Sequence, residues 1–146
     1  KADLEKIEEI DLILGTNEKK DIVNYVESAK KEIELDDVLH NPEYSDFGAV
    51  SYTEKTRAVI KVQDGCDRFC SYCIIPYARG RVRSRRPESI IEEIRQIADK
   101  GIKEVVITGI YIASYGKDFK EDYKLIDLLE EINAVAGIER IRLRFN

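Results

Sequence analysis

The chain has 146 residues, 43% of them apolar, and a formal net charge of −5, which suits about one globular domain with a real core. No run of about 18 apolar residues occurs, and the first thirty residues carry charge throughout, so neither a membrane span nor a secretory leader is readable and the chain reads as cytoplasmic. The charge is uneven: residues 1 to 46 hold six lysines against 14 acids, whereas Cys66 to Arg86 hold six arginines against the single acid Asp67, so nucleic acid stays open as a partner despite the acidic total.

In chain order, DLEKIEEI (residues 3 to 10) places Leu4, Ile7 and Ile10 at helical spacing, and LILG (12 to 15) is a short apolar strand stopped by glycine. Thr16 or Asn17 is then placed to cap a second helix, with Ile22, Val23 and Val26 on one face. A helix opening the chain with no strand before it predicts further sequence upstream. Residues 31 to 55 show little periodicity and contain Pro42 and Gly48; they read as a linker. At Thr56 the pattern changes. TRAVIKVQ alternates and is rich in β-branched residues, so it predicts a strand ending just before the first cysteine. Pro87 suits the first turn of a helix that runs through SIIEEIRQIADK to a glycine stop at Gly101. A strand, KEVVITG, follows, then the loop GIYIASYGKDF, a helix over about 124 to 135, and a third strand, IERIRLRF. This β, α, β, α, β order predicts a parallel sheet with right-handed crossovers, and both the cysteine loop and the TGIY loop lie at C-terminal strand ends, where such folds build their sites.

All three cysteines, Cys66, Cys70 and Cys73, fall in that first loop, spaced C-x3-C-x2-C. An odd, tight cluster argues against a disulfide framework. Three thiolates suit a 4Fe-4S cluster in which each cysteine takes one iron and one iron stays open to a small ligand. A structural zinc site asks for four ligands, and the sole histidine, His40, lies in the linker, where a solvated role is the simpler one. Zinc, or an inert thiol cluster, is the competing account: a metal-stabilised module whose arginines hold RNA without catalysis.

The C-x3-C-x2-C loop after a strand, with Tyr72 just before the last cysteine, resembles the radical S-adenosylmethionine superfamily. The following IIPYARGRVRSR and the later TG…SYG are similar to its methylthiotransferases, and CDRFCSYCIIPYARG with TGIYIASYG most resembles the branch acting on N6-threonylcarbamoyladenosine in tRNA, next to the anticodon. The resemblance implies an α/β fold: the first half of a parallel (βα) partial TIM barrel over 56–146, preceded by the end of an α/β N-terminal domain over 1–30 and a linker over 31–55. Cys66, Cys70 and Cys73 would then hold the cluster, and its open iron would chelate the methionine moiety of S-adenosylmethionine. A 5′-deoxyadenosyl radical would take hydrogen from C2 of the adenine, where sulfur is inserted and then methylated.

The same resemblance places Tyr72 near the adenine of S-adenosylmethionine, where core packing is the plainer account, and puts Thr108 and Gly109 against the methionine amino group, where a simple strand-to-loop turn is the alternative. Ile74 and Ile75 would keep the site dry. The arginine run suits tRNA phosphates; the alternatives are surface ion pairs with Glu92 and Glu93, or Arg83 or Arg85 lining the cofactor pocket. An electron-donor protein and tRNA are the implied partners of the full-length enzyme, and a related methylthiotransferase of isopentenyladenosine tRNA or of a ribosomal protein is the alternative activity. Against the pattern, three further cysteines expected of an N-terminal domain do not occur, and Tyr111 stands where this branch generally has histidine. The chain thus reads as a piece of such an enzyme, with strand edges left open.

Overall fold

A computed structural model describes residues 4–28, 32–34, 39, 44–45 and 56–144. The N-terminal part contains strand β1 (Leu12–Leu14), helix α1 (Ile22–Ser28) and strand β2 (Glu32–Glu34), with β1 and β2 paired in parallel. The remainder holds strand β3 (Arg57–Asp64), a short helix α2 (Ile75–Arg79), strand β4 (Arg83–Ser84), helix α3 (Pro87–Asp99), strand β5 (Glu104–Gly109), helix α4 (Leu125–Asn133) and strand β6 (Arg140–Arg144). These four strands form one sheet in the order β4-β3-β5-β6. β3, β5 and β6 run parallel, and β4 pairs antiparallel with the end of β3. The mostly parallel α/β architecture matches the expectation of a partial (βα) barrel.

The core follows from two periodicities. Ala58, Ile60 and Val62 of β3 and Val105 and Ile107 of β5 point to the same side of the sheet, because side chains alternate along a strand. Ile90, Ile91, Ile94 and Ile97 form the buried stripe of α3, and Leu128 and Ile132 that of α4; both helices cover this side of the sheet. Each fully buried isoleucine contributes about 2 kcal/mol relative to exposure. Pro87 opens α3 at its first turn, where its missing N–H costs no helical bond. The N–H of Lys124 donates to Asp127 Oδ2 at 2.6 Å, which fixes the start of α4. The opposite side of the sheet carries Arg57, Val59, Lys61, Glu104, Arg140 and Arg142 at alternate positions, with Glu104 paired to Arg140 and Arg142.

Several expectations need correction. Over 3–10 the described residues form only a single turn of 3-10 helix, Leu4–Lys6. Helix α1 exists, but Val23 and Val26 are 62% and 65% exposed, so its apolar face is largely open. Neither Thr16 nor Asn17 caps it. Thr16 Oγ1 donates to the carbonyl of Ala78, and Asn17 Oδ1 accepts from Arg83, so both side chains face the segment after the cysteines instead. Strand β2 lies within the span read as a linker, and α2 and β4 were not foreseen. His40 lies outside the described residues, and no described helix is long and apolar enough to cross a membrane.

Candidate functional site

The cysteine loop is an excursion from the sheet that starts and ends at one point. β3 leaves the sheet at Asp64, and β4 rejoins it by pairing Arg83 with Asp64 and Ser84 with Gln63. Between them Gly65, at φ +69°, comes so close to the returning chain that a Cβ there would sit 1.8 Å from the Arg81 carbonyl oxygen. Only glycine fits that backbone and that approach. The N–H of Cys66 donates to Gly80 O at 3.1 Å, and the N–H of Val82 donates to Asp67 Oδ1 at 3.2 Å, closing the neck further. Beyond the neck the chain turns at Phe69, whose φ of +45° is the one positive value at a non-glycine among the described residues, a conformation that bulky side chains rarely adopt. The Cys73 N–H donates to Cys70 O, and Pro76 lies in the first turn of α2.

The neck is also an electrostatic knot. Asp64 is nearly buried and accepts from Lys61 Nζ at 2.7 Å and from the Gly65 N–H at 2.9 Å; Arg83 lies 3.6 Å and Arg79 3.7 Å away. Burial raises the carboxyl pKa, but the Lys61 hydrogen bond and charge, the Gly65 N–H and the Arg83 charge outweigh it and hold Asp64 below its ordinary value. Arg83 is 2% exposed and also donates to Arg79 O and Asn17 Oδ1. Arg85 is 6% exposed, donates to Ser89 Oγ, and forms a buried ion pair with Glu93. Glu93 was expected as an ion-pair acceptor, but at the surface; the pair is internal, where breaking it leaves an uncompensated charge. Arg83 and Arg85 thus make internal contacts at the loop base that the sequence did not show.

Of the other sequence-identified residues, Cys66 and Cys73 are half-buried, Cys70 is exposed, and all three thiols are free. Tyr72 is 91% exposed, which rules out the core-packing account of it, and Ile74 is 68% exposed. Thr108 is half-buried and Gly109 buried at the end of β5. A Cβ at Gly109 would lie 3.0 Å from Gln63 Cβ and 2.9 Å from Ile112 Cγ2, so this glycine lets the β3 end, the β5 end and the next loop close together. Cysteine loop and TGIY loop thus meet at the same edge of the sheet, as the topology predicted.

Gln63 went unnoticed in the sequence. The β3–β5 register shifts between Lys61 and Gln63, a bulge that breaks strict alternation and buries Val62, Gln63 and Asp64 in succession. The buried Gln63 amide accepts from the Tyr111 N–H at 2.8 Å and donates to Asp64 O at 2.6 Å and Gly65 O at 2.7 Å. Tyr111 then meets the cysteine loop a second time, its hydroxyl accepting from Arg68 Nη2 and its ring lying 4.2 Å below the Arg68 guanidinium carbon. The rest of that second loop folds inward. Tyr115 packs edge-on against Phe119 at 5.6 Å and donates to Arg85 O at 2.8 Å, while burial pushes its phenol well above the ordinary range. Asp118 accepts from the Ser84 N–H at 2.8 Å and from the Ser84 hydroxyl, tying the loop to β4.

The donor set fits the iron–sulfur group that the sequence suggested. Three free thiols project from one loop, and in a cubane each thiolate takes a different iron, so three suffice without meeting at one point. Among the described residues no three His, Cys, Asp or Glu side chains are gathered as ligands of a single metal ion, and His40, the fourth donor weighed for zinc, is outside them.

A family model described as "Radical SAM superfamily" matches residues 60–146. The chain is 37% identical over 147 residues to threonylcarbamoyladenosine tRNA methylthiotransferase MtaB of Bacillus subtilis, covering 97% of this chain and 32% of that protein. It is 40% identical over 145 residues to the MtaB of Aquifex aeolicus, covering 97% of this chain and 35% of that protein. It is also 54% identical over 89 residues to the tRNA-2-methylthio-N(6)-dimethylallyladenosine synthase of Caldicellulosiruptor saccharolyticus, covering 61% of this chain and 19% of that protein. The chain spans about a third of the length of the first two of these relatives. Family model, sheet and cysteine loop agree: the chain belongs to the radical SAM superfamily.

Proposed function

We propose that this chain is the cofactor-holding part of a tRNA methylthiotransferase whose target is N6-threonylcarbamoyladenosine, modified at C2 of the adenine. The observation that carries the reading is the cysteine loop: three free thiols beyond a closed neck, at the C-terminal end of β3, the first parallel strand of the four-stranded sheet. Members of the family use a 4Fe-4S cluster and S-adenosylmethionine. Cys66, Cys70 and Cys73 would hold the cluster, with its fourth iron left for S-adenosylmethionine. Cluster and S-adenosylmethionine together supply, when bound, the electron transfer that breaks the S–C5′ bond and starts radical chemistry.

The residues of this chain do the positioning. Exposed Tyr72 is available to lie against the cofactor adenine, and Thr108 and Gly109 present small groups and backbone at the neighbouring strand end. Asp64, Arg83 and the Arg85–Glu93 pair hold the loop base, so that the thiols start from a fixed root. Arg68, Arg79, Arg81 and Arg86 remain the candidates for tRNA phosphates; Arg86 is exposed, stacks over Phe119 at 4.9 Å and lies 3.9 Å from Glu121. Residues 1–30 are read as the end of the N-terminal domain, 31–55 as a linker that contains β2, and 56–146 as the start of the radical SAM core.

The test is an electron paramagnetic resonance spectrum of the anaerobically reconstituted, reduced protein, with and without S-adenosylmethionine. A reduced 4Fe-4S signal that changes shape on adding S-adenosylmethionine supports the reading; bound zinc and a silent spectrum would replace it with the metal-stabilised RNA-binding module. A second target has support in the 54% identity to a dimethylallyladenosine-modifying relative. Mass analysis of tRNA nucleosides from cells with and without the full-length gene decides between the two.

A further inference from the structure

Two separate contacts join the cysteine loop to the loop leaving β5, and both pass through one residue. At the loop root, the Tyr111 N–H donates to the buried Gln63 amide, whose other end holds Asp64 O and Gly65 O. At the loop body, Arg68, two residues after Cys66 and two before Cys70, donates to the Tyr111 hydroxyl and stacks on its ring. The four elements make a closed circuit: Gln63, the backbone from Gly65 to Arg68, the Tyr111 side chain, and the Tyr111 backbone. Such a circuit fixes the loop in two places, whereas the rest of the cysteine segment is exposed at Tyr72, Ile74 and Tyr77. Gly109 is the spacer that makes it possible, since a side chain there would press on Gln63.

We propose that Tyr111 is a positioning residue: through Gln63 and Arg68 it locks the first two cysteines to the C-terminal end of β5. The spacing of Cys66 and Cys70 is then set by the residue that follows Thr108, Gly109 and Ile110, and so by the loop that faces the cofactor in the reading above, on which the thiolate role rests. The Arg68–Tyr111 half is partly exposed, so it tolerates substitution without unfolding the chain. Gln63 does not, because its loss would strand three buried backbone groups at once.

The test is amide hydrogen exchange across residues 64–74 in the iron-free, full-length protein, for wild type, Tyr111→Ala, Tyr111→Phe, Arg68→Met and the double variant Arg68→Met/Tyr111→Ala. A guanidinium stack plus one hydrogen bond predicts about tenfold faster exchange in either Tyr111→Ala or Arg68→Met. The double variant should be no faster than either single one, because both remove the same contact, and Tyr111→Phe, which keeps the ring, should fall between. Unchanged exchange in the single variants, or effects that multiply in the double, would overturn the proposal. In the reconstituted protein the reduced-cluster spectrum should shift in Tyr111→Ala and return towards wild type in Tyr111→Phe; an identical spectrum in all three denies any link to the thiolates. Because exchange is read without iron, a protein that never takes up a cluster defeats the functional reading alone.

Discussion

Two loops leave the same edge of the sheet and are stabilised in opposite ways. The loop after β5 turns Tyr115, Phe119 and Tyr123 against one another, and Tyr115 reaches the backbone of Arg85, just after β4. The cysteine loop keeps its aromatics outside and is held by its neck, through a glycine contact, a buried acid and backbone hydrogen bonds. One is secured by area and the other by geometry. On the function proposed above, a segment that receives a cluster and a cofactor cannot also bury its own surface, and polar ties at the root leave its crown open.

That contrast can be broken in order of size. Tyr115→Ala removes a buried aromatic and should cost about 4 kcal/mol of global stability in a denaturant melt; a loss under about 1 kcal/mol would mean that the second loop is not area-stabilised. Gly65→Ala forces a Cβ into the Arg81 carbonyl and an alanine into positive φ, and should cost roughly 3 kcal/mol. Its damage should concentrate in exchange over 64–84 and spare α4; equal damage everywhere would contradict a local neck. Asp64 gives a smaller effect with a defined sign. Its folded pKa lies below the unfolded value of about 3.9, so its contribution is complete above that value and is lost as pH falls through the folded one. Asp64→Asn should flatten the acid side of the stability profile, and an unaltered profile would remove Asp64 from the neck. Smallest is Cys70→Ala: with its thiol exposed, stability should move by less than about 0.5 kcal/mol, while iron taken up on reconstitution falls sharply. Iron uptake equal to wild type would remove Cys70 as a ligand.

Much of this was legible in the sequence because it rests on periodicity. The 2-residue alternation of β3, the four isoleucines of α3 and Pro87 at its start all appear where the pattern put them. The helix α2 had a readable signal too, in Pro76 at its first turn and Gly80 at its end, but at five residues it is too short for a pattern to register. The fates of Arg83 and Arg85 were not readable. An arginine-rich run looks like a solvated face until β4 turns alternate members inward against Asp64 and Glu93, and a two-residue strand has no period. Gln63 was hidden for a related reason: a bulge shifts the register by one residue, and no propensity marks where that happens. The exposed face of α1 is the opposite case, a helical stripe that was visible although its partner was not.

The touching ends of the cysteine loop make it a cassette. A segment that departs and returns at a single point can change its length or its chemistry without moving the strands that carry it, since lengthening a closed loop adds only about 0.6 kcal/mol per doubling. Residues 69 to 77 can in this sense be exchanged as a unit, with Gly65 to Arg68 and Ala78 to Arg81 as the fixed socket. The sheet would supply the mounting and the insert the reactivity, so a graft of another loop onto this socket is a direct way to give the scaffold other chemistry.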